Sequence, residues 1–157
     1  ILDYGHNIDG YRKVLSSLKE LAKGNIIGVI GIPGDRSNND AVRIGKLSGK
    51  NLNKIIIKED KDRRGRRCGE IAELIKNGVL QVNKDSDLKV ILDEVEAFRT
   101  ALMEAKRGDT VIVFFEKRKP LLEVIEYFRK EQEENGYKKI NWISDKYWVT
   151  FNFLICL

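Results

Sequence analysis

Three side chains near the start of the chain, Asp3, His6 and Asn7, have the chemistry to handle phosphate groups. They lie in the segment Asp-Tyr-Gly-His-Asn at residues 3–7, and His6 is the only histidine of the chain. Imidazole and amide groups donate hydrogen bonds to phosphate oxygens, and the start of a following helix adds N–H donors. Taken alone, the segment is also compatible with a turn at the end of a strand, in which Asp3 and Asn7 only cap the helix.

A second segment with this chemistry is Gly-Ile-Pro-Gly-Asp-Arg at residues 31–36. Its glycines let backbone N–H groups approach a ligand, and Arg36, beside Asp35, offers two parallel donors to a carboxylate or phosphate. The segment is neither a Walker A loop nor a dinucleotide-binding fingerprint. An ordinary strand-to-helix turn with a surface ion pair is the alternative.

The third segment is the charged run at residues 58–67, which includes Asp60, Arg63 and Arg64. Interleaved carboxylates and guanidinium groups are suited to a zwitterionic amino acid, because each kind of charge finds its opposite. A polybasic RNA contact is the alternative, although the acids and the lack of nearby aromatic residues weaken it. Cys68 follows and is interpreted as structural or incidental, and no metal-ligand cluster is predicted.

The elements that position these segments alternate between strand and helix. Apolar runs predict strands at residues 1–2, 26–30, 55–57, 79–82 and 111–115, and helical spacing predicts helices at 9–23, 38–50, 69–76, 88–106 and 121–134. This alternation predicts an α/β fold with a Rossmann-like, doubly wound and mostly parallel sheet that has helices on both faces. All three segments follow strands, so we expect them to meet at the carboxyl edge of the sheet.

Composition narrows the class of protein. The length of 157 residues suits one domain with a real core, and a net charge of +5 favours an anionic ligand without requiring one. Two isolated cysteines argue against a disulfide framework and fit a cytoplasmic protein. No secretory signal and no apolar run long enough for a membrane span are visible.

The sequence leads to a different expectation for each end of the chain. The chain starts without Met, within a predicted strand, which suggests a piece of a longer protein. Residues 1–128 form the expected domain. Residues 129–157 are a tail of uncertain structure whose aromatic, β-branched end has the composition of edge strands, so self-association is possible.

Taken together, the segments resemble the C-terminal domain of the Mur ligase family. The matching pieces are residues 3–7, 31–36, 45–47, 58–60 with Arg63 or Arg64 to Arg66, 92–94 and 108–111. Many Mur ligases carry a Gly-Lys-Gly-His-Glu-like segment where this chain has Phe-Phe-Glu-Lys-Arg at 114–118, and Ile8 stands where a proline is common. The first departure points to the cyanophycin synthetase branch of the family.

The resemblance implies an activity and a role for each segment. In such ligases ATP, with Mg²⁺, phosphorylates a carboxylate, and an amine attacks the acyl phosphate to form an amide. The resemblance implies that Asp3, His6 and Asn7 face the nucleotide, with Asp3 and His6 in the catalytic part of the site. The resemblance also implies that five residues bind the incoming amino acid or acidic peptide: Asp35, Arg36, Asp60, Arg63 and Arg64.

The chain has no P-loop, so the phosphates and Mg²⁺ would be held mainly by a central domain elsewhere in the same polypeptide. We therefore expect the isolated chain to be inactive. Two alternatives are a non-catalytic basic module that binds RNA or an acidic partner through residues 58–67, and a domain that retains the fold without the activity.

Overall fold

The computed structural model describes residues 1–135, in which strands and helices alternate strictly. The strands are β1 (Leu2–Asp3), β2 (Ile26–Ile30), β3 (Lys54–Ile57), β4 (Asp87–Val90) and β5 (Thr110–Phe114). The helices are α1 (Ile8–Leu21), α2 (Asn38–Asn51), α3 (Glu70–Leu80), α4 (Glu94–Glu104) and α5 (Arg118–Asn135).

The five strands form one parallel sheet in the order β1-β5-β2-β3-β4. One apolar cluster combines residues of α1, α2 and α3 with Ile26 and Ile30 of β2. The other combines α4 and α5 with Ile27 and Val29. Because successive side chains of a strand point to opposite faces, each face of the sheet is covered by its own helices. The predicted doubly wound α/β fold is confirmed.

Helices α2 and α3 pack at very short range because glycines meet at their crossing. A Cβ at Gly45 would lie 2.1 Å from the carbonyl oxygen of Ile75, and one at Gly78 would lie 2.1 Å from that of Val42. This contact holds the second half of α3 against the middle of α2.

The predicted strand at residues 79–82 is wrong, and so is the predicted start of the helix at 88–106. Val79 and Leu80 form the last turn of α3, and the fourth strand is Asp87–Val90 instead. Asp93 caps α4, with its Oδ1 accepting the N–H groups of Val95 and Glu96 at 3.0 Å each. The error has a physical cause: β4 is a short, largely exposed edge strand held by main-chain pairing to β3, which leaves little apolar pattern.

The expected edge strands at the end of the chain lie outside the described residues, except that residues 129–135 belong to α5. Among residues 1–135, no helix combines the length and hydrophobicity that a membrane crossing requires.

Candidate functional site

The three predicted segments meet at the carboxyl edge of the sheet, where they border two cavities. The first cavity, of about 700 Å³, lies between residues 3–10 and the beginning of α2. The second cavity, of about 60 Å³, lies over the ends of β2, β3 and β5. Tyr4, Gly5 and His6 line both. The direction of the connections reverses beside β5, and ligands of open α/β sheets bind at such a point.

Two polar side chains of the first segment are used to build its turn. Asp3 is buried, and its Oδ1 accepts the N–H of Gly5 at 2.6 Å. Burial raises the pKa of Asp3, against the effect of that hydrogen bond. The Oδ1 of Asn7 accepts the N–H of Gly10 at 2.8 Å and caps α1, as the turn interpretation predicted. His6 is partly exposed, with Nδ1 3.0 Å from the carbonyl oxygen of Tyr4, and its ring borders both cavities.

The second segment places Asp35 and Arg36 in different surroundings. Asp35 pairs with Arg64 at 3.0 Å, and its distance to the Nε of Arg36 is 3.9 Å. The Nε of Arg36 is shielded from solvent and has no hydrogen-bond partner, although the side chain as a whole is 41% exposed. Arg36 lines the first cavity, together with Asp3, His6 and Asn7.

Arg66 fastens the second segment to the third, a role that the sequence did not reveal. Its guanidinium donates to the carbonyl oxygens of Gly34 and Arg36 at 2.6 and 2.7 Å, and to Asn38 and Glu70 at 2.7 and 2.6 Å. The backbones also touch, because a Cβ at Gly34 would lie 2.1 Å from the carbonyl oxygen of Arg63. The loop that carries Arg36 is thus held in one position.

A fully buried lysine lies beneath the second cavity. Lys58 is 1% exposed, and its Nζ contacts Asp60 Oδ1 at 2.6 Å and Glu94 Oε2 at 2.7 Å. Glu94 also accepts the N–H groups of Glu116 and Lys117 at 2.6 and 3.1 Å. Lys58 therefore joins the end of β3, the start of α4 and the β5–α5 loop.

The pKa of Asp60 is raised, chiefly because the carboxyl group is buried, and Lys58 opposes this effect. The sequence analysis included Lys58 and Glu94 in the matching segments but gave neither residue a role. A lysine directly after three isoleucines of a buried strand was the one available sign of a buried cation.

The candidate residues divide between the cavities in a way that sequence did not predict. Asp60 and Arg64 line the second cavity with His6, whereas Arg36 lines the first. Asp35 is paired with Arg64, and the Arg63 side chain is exposed. Residues 1–135 contain no group of three or more His, Cys, Asp or Glu side chains that is arranged to hold a metal ion.

A comparison with protein families shows which family shares this sequence. The family described as "Mur ligase, glutamate ligase domain" matches residues 1–114, which include all three segments and the whole sheet. The chain belongs to the Mur ligase family. The resemblance inferred from the motifs is therefore confirmed.

Relatives within the Mur ligase family include cyanophycin synthetases. The enzyme of Geminocystis herdmanii is 41% identical over 133 residues, which are 85% of this chain and 15% of that protein. The cyanophycin synthetase of Synechocystis is 41% identical over 125 residues, 80% of this chain and 14% of that protein. The chain thus spans about 15% of the length of these relatives.

Mur ligases of another kind are also similar. A UDP-N-acetylmuramoyl-L-alanyl-D-glutamate–2,6-diaminopimelate ligase of Clostridium acetobutylicum is 30% identical over 113 residues, 72% of this chain and 22% of that protein. A solved structure of a ligase of that name matches 83% of this chain and 29% of its own, with a TM-score of 0.66 at 20% identity. This structural match shows the shared fold.

Proposed function

We propose that this chain is the C-terminal domain of an ATP-dependent amide ligase of the cyanophycin synthetase kind. In the proposed reaction, ATP phosphorylates a carboxylate and the amine of an incoming amino acid attacks the acyl phosphate. The observation that supports this most directly is the meeting of residues 3–7, 31–36 and 58–66 at one sheet edge in a member of the Mur ligase family.

In this proposal the first segment faces the nucleotide. In its protonated form His6 can donate through Nε2 to an anionic oxygen, since its Nδ1 is engaged with the carbonyl oxygen of Tyr4. The side-chain nitrogen of Asn7 stays available because only its oxygen is used in the cap. Asp3 supports the turn that presents them. ATP and Mg²⁺ would be held mainly by a central domain of the same polypeptide, and this chain would close over them and exclude water from the acyl phosphate.

The incoming amino acid is assigned to the other two segments. Arg36 is the proposed partner of its carboxylate, since its Nε has no hydrogen-bond partner and Arg66 fixes its backbone. Asp60 and Arg64 supply opposite charges at the second cavity, and Asp35 orients Arg64. Arg63 does not line this cavity and is assigned to the same ligand from an exposed position next to Arg64. The two cavities share Tyr4, Gly5 and His6, so one substrate can extend along that boundary.

Amino-acid binding tests the proposal. Titration calorimetry of the chain with a panel of amino acids and acidic peptides should find one ligand that binds saturably. Its affinity should fall by about tenfold or more in Arg36→Ala, since a charge-assisted pair is lost. Lys50→Ala, an exposed cation at the far end of α2, is the matched control and should change little.

The competing function is a basic module that binds RNA or an acidic partner. Two of its arginines are already neutralised, because Arg64 pairs with Asp35 and Asp62, and Arg66 pairs with Glu70. Tight polynucleotide binding that weakens steeply with salt would favour this module and contradict the ligase proposal. A chain that binds neither ligand would be a domain that keeps the fold without the activity.

We also propose that the protein acts in the cytoplasm and that its partners are the other domains of its own polypeptide. The purified chain should form no amide bond in the presence of ATP and Mg²⁺, because it has no P-loop. Detection of ATP-dependent amide product with the chain alone would overturn this expectation.

A further inference from the structure

One buried carboxylate is connected to both walls of the second cavity. Glu94 is the first residue of α4 and is 6% exposed. Its Oε2 lies 2.7 Å from the Nζ of Lys58 and accepts the N–H of Glu116 at 2.6 Å. Its Oε1 accepts the N–H of Lys117 at 3.1 Å. Glu94 does not line the cavity itself, so any effect on a ligand there passes through the residues that do.

The two walls that Glu94 joins belong to different loops. Asp60 is on the β3–α3 connection, and its Oδ1 lies 2.6 Å from the Nζ of Lys58. Glu116 is on the β5–α5 connection, and its Oε2 accepts the N–H of Lys61 at 2.8 Å. Both Asp60 and Glu116 line the second cavity. The loops are thus connected twice, once through Glu94 with Lys58 and once through the side chain of Glu116.

The charges around Asp60 favour a cationic group of a ligand. Burial raises the pKa of Asp60, Lys58 lowers it, and the charges of Glu116 and Glu94 raise it further. Arg64 also lines the cavity, but it is already shared by two carboxyl groups. Among the described lining residues, Lys58 is thus the one lysine or arginine left to offset three carboxyl groups. An ammonium group of a ligand would add the positive charge that this balance lacks.

Stability alone does not account for a buried network of this kind. Removing charged groups from water costs free energy that their mutual attraction often only balances, and apolar residues of similar volume are often at least as stabilising. Such a network is understood when the fixed position of its members is needed. Here the members include Asp60 and the backbone of Glu116, which form part of the cavity wall.

We propose that Glu94 is a positioning residue of the amino-acid site. It holds Asp60, through Lys58, and the backbone of Glu116 in the places that let the second cavity receive the ammonium group of the incoming amino acid. This inference rests on the proposed function and adds to it a residue that touches no ligand.

Hydrogen exchange of the unliganded chain tests the contacts of Glu94. Glu94→Ala should accelerate exchange of the Glu116 and Lys117 amides by about tenfold or more, while Val113 in β5 stays protected. Glu94→Gln should accelerate exchange at Lys117 only, because the amide oxygen can replace Oε2 whereas the amide nitrogen cannot accept a hydrogen bond. Equal acceleration of all three amides, or none in Glu94→Ala, would overturn the inference.

Titration calorimetry with a panel of the standard L-amino acids measures the effect on binding. The amino acid that binds most tightly is compared with the same molecule lacking its α-amine. The unmodified chain should prefer the amino acid by about tenfold or more, and Glu94→Ala should reduce this preference to within about threefold. Glu94→Gln should retain most of the preference. Glu96→Ala, which removes an exposed carboxylate from the first turn of the same helix, is the matched control and should leave it unchanged.

The outcomes separate this inference from the proposed function. A variant that is merely less stable would bind both molecules more weakly by the same factor, and that result for Glu94→Ala would refute the positioning role. If an amino acid binds and Glu94→Ala keeps the full preference for the amine, the inference is wrong and the proposed function stands. If no amino acid binds but the exchange pattern is as expected, the proposed function is wrong and the positioning of the cavity walls by Glu94 stands.

Discussion

Replacement of Lys58 by methionine should destabilise the domain strongly. The substitution keeps an unbranched side chain of similar length but removes the charge that lies 2.6 Å from Asp60 and 2.7 Å from Glu94. Two buried carboxyl groups would then face each other without a cation. Loss of one partner of a buried ion pair costs about 3–5 kcal/mol. We expect the lower end, about 3 kcal/mol, because Glu94 keeps two N–H donors.

Urea denaturation at pH 7 and pH 5 measures this effect. A loss of about 3 kcal/mol corresponds to a fall in Tm of roughly 10 °C for a domain of this size. The loss should be smaller at pH 5. Burial already raises the pKa of Asp60 and Lys58 opposes that rise, so removal of Lys58 raises the pKa further. A carboxyl group with a raised pKa holds more protons in the folded state than in the unfolded state. The free energy of unfolding of the Lys58→Met variant therefore falls as the pH rises from 5 to 7.

Two comparison variants make the result specific. Lys54→Met removes a lysine whose side chain is 23% exposed and which also contacts two acids, and it should cost at most about 1 kcal/mol. Adding Glu94→Gln to Lys58→Met removes one buried charge while keeping an acceptor for the N–H of Glu116, and it should restore about 1 kcal/mol. A Lys58→Met loss below about 1 kcal/mol, or an equal loss at both pH values, would refute the assigned role of Lys58.

Two further predictions concern the packing around the site. Gly45→Ala should destabilise by about 2 kcal/mol or more in urea denaturation, since its Cβ would lie 2.1 Å from the Ile75 carbonyl oxygen. Gly10→Ala is the control, because its Cβ would meet nothing closer than 3.4 Å, and it should change the free energy of unfolding by less than about 1 kcal/mol. An equal loss of stability in the two variants would argue against the close contact between α2 and α3. Arg66→Met should accelerate hydrogen exchange of the Arg36 amide by about tenfold while Val29 in β2 stays protected, because the loop loses its contacts to Gly34 and Arg36. Unchanged hydrogen exchange at the Arg36 amide would show that the hydrogen bonds from Arg66 are not needed to hold this loop.

The sequence predicted the central strands well and the edge strand poorly. β2, β3 and β5 are continuous apolar runs because they are buried on both faces, and each was located to within one residue. β4 has only one partner, and three of its four residues are exposed, so its composition resembles the start of a helix. The helix predicted at residues 69–76 ends too early, because Gly78 lies inside α3, where the carbonyl oxygen of Val42 leaves no room for a side chain.

The position of the site was predictable, but its contacts were not. Every proposed segment does follow a parallel strand, so their convergence follows from the topology. The partner of Lys58 on α4 is 36 residues away, and the carbonyl groups of Gly34 and Arg36 that accept from Arg66 lie 32 and 30 residues before it. Such pairings depend on how the chain crosses the sheet, which local spacing does not encode.

The pairing of Tyr11 with Gly31 has a consequence for movement. The Tyr11 hydroxyl donates to the carbonyl oxygen of Gly31 at 2.7 Å and accepts its N–H at 3.1 Å, while the ring stacks on Phe114 at 3.6 Å. Helix α1, the exit of β2 and the end of β5 are thereby locked together in the core. We therefore expect any motion of this domain to carry both cavities as one rigid body, with their relative spacing preserved.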